Sequence, residues 1–136
     1  MNLLLDVNVL IAWGWADHVD HQRVASWIGR MKKQETVLMT SAIPQLGFIR
    51  VSVQRMRGTL SPSEASEVLT HMIHALGSRH RFIADDQPSI EWPNWCSKAD
   101  QTTDAHLVLL AKKHKAQLAT LDEAIPHAYL IPRLVE

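Results

Sequence analysis

The chain has 136 residues and a mass of 15.4 kDa; 46% of the residues are hydrophobic and 21% charged, the balance of a soluble globule and not of a disordered chain. Lys and Arg number 14, as do Asp and Glu, so no globally basic coat for non-specific nucleic-acid binding exists, although local basic patches remain open. One cysteine, Cys96, permits no internal disulfide and suits a reducing compartment.

That length is expected to form one domain over 1–136, large enough to bury roughly two-thirds of its unfolded surface without staples. No run approaches about 18 consecutive apolar residues, so no membrane contact is expected. The opening Met1-Asn2-Leu3-Leu4-Leu5-Asp6 lacks the basic start of a signal peptide, and a cytoplasmic location is expected.

Leu3-Leu4-Leu5, closed by Asp6, reads as a buried strand. Helical character follows over Val9 to Trp15 and breaks at Asp17 to His21. An amphipathic helix is predicted from about His21 to Lys33, with Val24, Trp27, Ile28 and Met31 on one face. Val37-Leu38-Met39 is the second strand. Thr40-Ser41 opens a helix with Pro44 in its first turn, an apolar set of Leu46, Ile49, Val53 and Met56, and a stop at Gly58.

Ser61-Pro62-Ser63-Glu64 is a capping box for a helix running to about Leu76. Arg81 to Ala84 reads as a short strand, and Asp85 to Cys96 as a loop with two prolines and two tryptophans. Ala99 to Lys115 is the strongest helical pattern. Gln117 to Thr120 and Tyr129 to Ile131 complete the strands. Strands that alternate with helices and are apolar throughout predict a parallel α/β sheet covered on both faces.

Open sheets of this kind bind ligands at the carboxyl ends of their strands. Asp6 and Asp122 lie at two such ends, and Asp104 lies in the long helix between strands with Asp100 one turn before it. Each acid also has an ordinary structural reading: Asp6 and Asp122 as caps, Asp100 as a first-turn acid favoured by the helix dipole. Converging carboxylates repel one another unless a cation neutralises them, and oxygen-only ligands favour Mg²⁺ or Mn²⁺ over zinc. Such a site suits phosphodiester hydrolysis. Asn8 and Thr120, each two residues from an acid, are placed to hydrogen-bond its carboxylates, or else serve as ordinary turn and strand residues.

The blocks Leu5-Asp6-Val7-Asn8-Val9-Leu10, Thr40 through Val51, Thr103-Asp104-Ala105-His106-Leu107 and Ala119-Thr120-Leu121-Asp122 resemble the signature segments of PIN-domain proteins. More narrowly, they resemble VapC-type toxins of bacterial toxin–antitoxin pairs. Four blocks in register cover essentially the whole chain. The resemblance implies a three-layer α/β/α fold with a central, mainly parallel sheet and Mg²⁺- or Mn²⁺-dependent endoribonuclease activity on RNA. It also implies inhibition by a VapB-type antitoxin, a homodimer, and contact with operator DNA only through the antitoxin.

Carried over, Asp6, Asp104 and Asp122 fall on the family's metal-site acids. Its remaining acid, usually glutamate, falls on Gln45. Glutamine keeps a carbonyl oxygen but loses one negative charge, and Asp100 is near enough in sequence to replace it. Gln45 fits a natural active variant, a degenerate toxin that only binds antitoxin or RNA, or an engineered substitution. A phosphohydrolase with Asp6 as nucleophile is disfavoured, because Asn8 stands where such enzymes usually place a second aspartate.

Among eight histidines, His18 and His21, like His71 and His74, are spaced i, i+3, but no Cys/His pattern of zinc spacing accompanies them. His106 reads as a surface or packing residue. Arg50, Arg55 and Arg57, and Lys112, Lys113 and Lys115, fit either solvated helix ends or phosphate steering. Of five tryptophans, Trp27 belongs to a core face. Trp13, Trp15, Trp92 and Trp95 stay open, the last two between base stacking and an interface.

Overall fold

The computed structural model describes residues 1–135. Strand β1 (Asn2–Leu5) leads into helices α1 (Val7–Gly14) and α2 (His21–Lys33); β2 (Val37–Thr40) leads into α3 (Ala42–Arg55) and α4 (Pro62–Leu76). Then follow β3 (His80–Phe82), α5 (Thr102–Lys113), β4 (Gln117–Thr120) and β5 (Tyr129–Leu130). The strands lie in the order β3-β2-β1-β4-β5, and every pairing is parallel. All five therefore end at one edge of the sheet.

The period-2 geometry of a strand divides the apolar residues between two cores. Leu3, Leu5, Leu38 and Ala119 face one side, where they meet Val9, Leu10, Val24, Trp27, Phe48 and Leu69 from α1 to α4. Leu4, Met39 and Leu118 face the other, against Leu107, Leu110 and Ala111 of α5, with Ile83 and Ile125. Burying one leucine fully contributes about 1.5–3 kcal/mol, so these two layers hold the sheet flat between helices. This is the three-layer α/β/α arrangement, with the sheet wholly parallel.

The capping box of α4 forms as its sequence requires: Glu64 N–H donates to Ser61 Oγ at 3.1 Å and Ser61 N–H to Glu64 Oε1 at 3.0 Å. Trp27 is fully buried, and its indole N–H donates to Tyr129 Oη at 3.1 Å, tying α2 to the two-residue edge strand β5.

Several elements differ from the sequence expectation, α1 among them, which starts at Val7 and not Val9 because Asp6 caps it. The buried stripe of α3 is Pro44, Gly47, Phe48 and Ser52, whereas Leu46 is 66% exposed and Met56 lies past the helix. The reason is close packing against α1: a Cβ on Gly47 would sit 2.7 Å from a methyl of Val7, so only a glycine lets the helices approach. Strand β3 begins one residue early, and Ile83 N–H continues its ladder by donating to Thr40 O at 2.9 Å. The long pattern beginning at Ala99 opens as a tighter 3₁₀ turn, because Gln101 Oε1 accepts from the backbone of Ser97 and Lys98. No helix among the described residues is long and apolar enough to cross a membrane.

The Val7 methyls cannot swing away easily, since a β-branched side chain is stiff about χ1. Gly47→Ala is therefore expected to lower unfolding stability by about 1 kcal/mol or more in a urea titration, overpacking outweighing the better helix propensity of alanine. Gly29→Ala on α2, where a Cβ meets nothing within 4 Å, is expected to raise stability by about 0.5–1 kcal/mol. Equal responses at the two glycines would contradict the close α1–α3 contact.

Candidate active site

Register places the residues after the strands beside one another. Leu5 pairs with Ala119 and Leu4 with Met39, so Thr120, Asp6 and Ser41 follow in a row across β4, β1 and β2. Asp6 is 5% exposed and fixed at both oxygens: Val7 N–H donates to Oδ1 at 2.7 Å and Thr120 Oγ1 to Oδ2 at 2.8 Å. The first bond makes Asp6 the cap of α1, as its structural reading expects. Burial raises its pKa above the ordinary carboxyl value; the bonds from Thr120 and Val7 oppose that rise, and the charge of Asp122 adds to it.

Thr120 is wholly buried and serves three groups. Besides donating to Asp6, its hydroxyl accepts from Asn8 Nδ2 at 3.0 Å and from Asp122 N–H at 3.1 Å. Asn8 Oδ1 in turn accepts from Leu121 N–H at 3.1 Å. Asn8 and Thr120 thus lock the end of β4 to the start of α1. Asp122 caps no helix: its Oδ1 accepts from Ala124 N–H at 2.9 Å in a local turn.

A hollow of about 220 Å³ opens here, lined by Asp100, Asp104 and Asp122 with Trp95, Lys98 and Ile125. Asp104 sits in the first turn of α5, half-buried. Its pKa is pushed up to about 6, first by burial and then by the charges of Asp6, Asp122 and Asp100. The four acids of the sequence reading therefore feel one another at this edge. Among the described residues, no three His, Cys, Asp or Glu side chains are gathered closely enough to grip an ion as they stand. The donor set nevertheless suits a hard divalent cation, which would relieve the repulsion by drawing the carboxylates together. Ser41 Oγ, buried beside Asp6 in the strand row without a hydrogen-bond partner, is a further oxygen at this edge.

Gln45 lies one turn into α3, and its amide donates to Thr40 Oγ1 at 3.0 Å. Thr40 Oγ1 also meets His80 Nε2 at 2.7 Å. Burial lowers the pKa of His80, which favours the neutral ring as acceptor of the threonine proton. Sequence reasoning missed Thr40, His80 and Ser41 as participants; the available signal was that Thr40-Ser41 ends β2 as Leu5-Asp6 ends β1. Other candidates separate from the site. Arg55 pairs with Asp17 at 3.0 Å and stacks on Trp15, whose indole donates to Ser52. Lys112 to Lys115 close α5 at the opposite edge of the sheet, and Lys113 pairs with Asp86. Arg50 is exposed on α3.

The model of the PIN domain family matches residues 3–130 of the chain. The chain belongs to the PIN-domain family. Three relatives from Mycobacterium tuberculosis are similar to this PIN domain along nearly their whole length. Ribonuclease VapC39 is 34% identical over 92% of this chain and 91% of its own. Ribonuclease VapC29 is 35% identical over 97% and 98%, and Ribonuclease VapC38 is 32% identical over 90% and 86%.

The carboxylate crowding of this PIN domain has a thermodynamic signature. Burial, and then the neighbouring carboxylates, push the Asp104 carboxyl up to about 6 from its ordinary 3.8. The folded protein thus holds that proton more tightly, and stability falls as pH rises from about 4 to 6 and stays lower above it. In EDTA, Asp104→Asn is expected to raise Tm at about pH 7.5 and to give no gain near pH 4. A variant no more stable than the parent at the higher pH would contradict the buried, crowded setting of Asp104.

Proposed function

We propose that this chain is a metal-dependent endoribonuclease, the toxin of a VapBC-type toxin–antitoxin pair. The observation that carries the reading is the gathering of Asp6, Asp104, Asp122 and Asp100 at one sheet edge, three of them lining one hollow and the other three all close enough for their charges to act on Asp104. The names of the VapC relatives support ribonuclease chemistry. The same reading assigns the chain a VapB-type antitoxin as inhibitor, RNA as substrate, a homodimeric state, operator DNA through the antitoxin alone, and the cytoplasm.

Asp6, Asp104 and Asp122 would hold Mg²⁺ or Mn²⁺, with Asp100 adding negative charge at the mouth of the hollow. When bound, the cation supplies Lewis acidity to the phosphodiester and neutralises its developing charge. The chain's own part is orientation. Thr120 fixes one oxygen of Asp6 and the backbone of Asp122 through one hydroxyl, and Asn8 fixes Thr120. Gln45 contributes an uncharged amide already tied to Thr40.

That tie also favours a second reading, a catalytically inactive PIN domain that binds antitoxin or RNA. The two part on one experiment: the parent chain and Gln45→Glu are incubated with cellular RNA in Mg²⁺, Mn²⁺ or EDTA, with Asp104→Asn as the control for contaminating nuclease. Cleavage by the parent, absent in EDTA and in the control, is the expected result. Cleavage by Gln45→Glu alone would establish the inactive reading, and cleavage by neither would sink the nuclease proposal.

Loss of the shared hydroxyl is expected to act through the ligands it orients. Thr120→Val should reduce divalent-ion affinity or cleavage by about 10- to 100-fold, with Thr120→Ser recovering most of it. Calorimetric titration of Mn²⁺ checks this, and an unchanged affinity and rate would remove Thr120 from the site.

A further inference from the structure

The loop between β3 and α5 separates its two tryptophans. Trp95 is half-buried, packs against the second core and walls the acid hollow. Trp92 is 43% exposed, in a loop where every residue from Ala84 to Lys98 is half-buried or exposed. It lines a second hollow of about 220 Å³ with Ile43, Ser89, Thr102, Thr103 and His106. The walls are an aromatic face, one aliphatic side chain, three hydroxyls and an imidazole. The ring of His106 is held in place by Asp85, with Nε2 to Oδ2 at 2.7 Å.

This hollow shares no lining residue with the acid hollow but neighbours it along the chain and through a third hollow. Thr103 immediately precedes Asp104 on α5, and Ile43 lies two residues before Gln45 on α3. Trp92 and Thr102 also border a third hollow that reaches exposed Lys98, and Lys98 stands on the rim of the acid hollow. A track therefore runs from the carboxylates past one cation to an exposed indole.

We propose that the hollow beside Trp92 is a subsite for an unpaired nucleobase of the RNA, next to the phosphodiester positioned at Asp104 and Asp122. The inference rests on the ribonuclease reading of the acid hollow. Trp92 supplies a stacking face, which accepts any base because every base has a π-face. The hydroxyls of Ser89 and Thr103 offer hydrogen bonds to the base edge, the Thr102 hydroxyl being spent on Ala99 O and His106 Nε2 on Asp85, and Lys98 meets the adjoining phosphate. A base can enter only when unstacked, so the site selects single-stranded or loop RNA over duplex.

The test uses the Asp104→Asn chain in Mg²⁺, which holds RNA without cutting it, and fluorescence anisotropy with labelled oligouridine, oligoadenine and the duplex of the two. Adding Trp92→Ala is expected to weaken single-strand binding by about 5- to 150-fold, the range of one base–aromatic stack. Duplex binding should move by less than about 2-fold, and Trp92→Phe should keep most of the single-strand affinity. A second arm leaves the protein's fold untouched: one abasic position is scanned along the oligouridine. At a single position the missing base should cost the Trp92 protein a similar factor and cost the Trp92→Ala protein nothing. Equal losses on both strands, or an abasic penalty that survives Trp92→Ala, would overturn the subsite while leaving the nuclease reading intact if the parent cuts RNA. A parent that neither binds nor cuts RNA would overturn both.

Discussion

Parallel pairing of β1 with neighbours on both sides governs the molecule. Because β2, β1 and β4 run the same way in fixed register, whatever follows each strand is delivered to the same edge at the same height. Ser41, Asp6 and Thr120 become neighbours although up to 114 positions separate them in the chain. Side-chain chemistry then acts on a row that the backbone has already drawn, and Thr120 is its knot, since one buried hydroxyl serves Asp6, Asn8 and Asp122.

Function and stability oppose each other along this edge. The cores on either face are apolar and close-packed, while the edge gathers carboxylates that disfavour one another's ionisation. The helices soften the conflict: Asp104 stands in the first turn of α5 and Asp6 caps α1, both where backbone N–H groups and the helix dipole favour negative charge. The site is therefore built from residues that the secondary structure itself tolerates, which is why each acid has a sound local reason to be there.

Much of this was legible in the residues. Leu3-Leu4-Leu5, the capping box at Ser61 and the apolar run before Asp122 each carry a local signal, and local signals settle where elements begin and end. Asp6 and Asp122 stood out because they follow strands, and Asp104 because it lies within a long helix between strands; the structure brings their charges close to one another. What escaped depends on contacts between distant segments. The outward turn of Leu46 follows from how near α1 comes, and the pairing of Thr40 with His80 from β2 lying beside β3. The different surroundings of Trp92 and Trp95, three residues apart in an irregular loop, have no periodicity that a sequence displays.

The contact between Gly47 and Val7 reaches beyond the core. Val7 directly follows Asp6, and Gly47 comes two residues after Gln45, so the spot where α1 and α3 touch lies close in the chain to both side chains. A missing methyl group thereby acts as a gauge for the spacing of α1 and α3 where they leave the sheet edge. Any wider spacer would press the first turns of α1 and α3 apart, so the spacing of the polar groups at this edge is set in hydrocarbon beneath them.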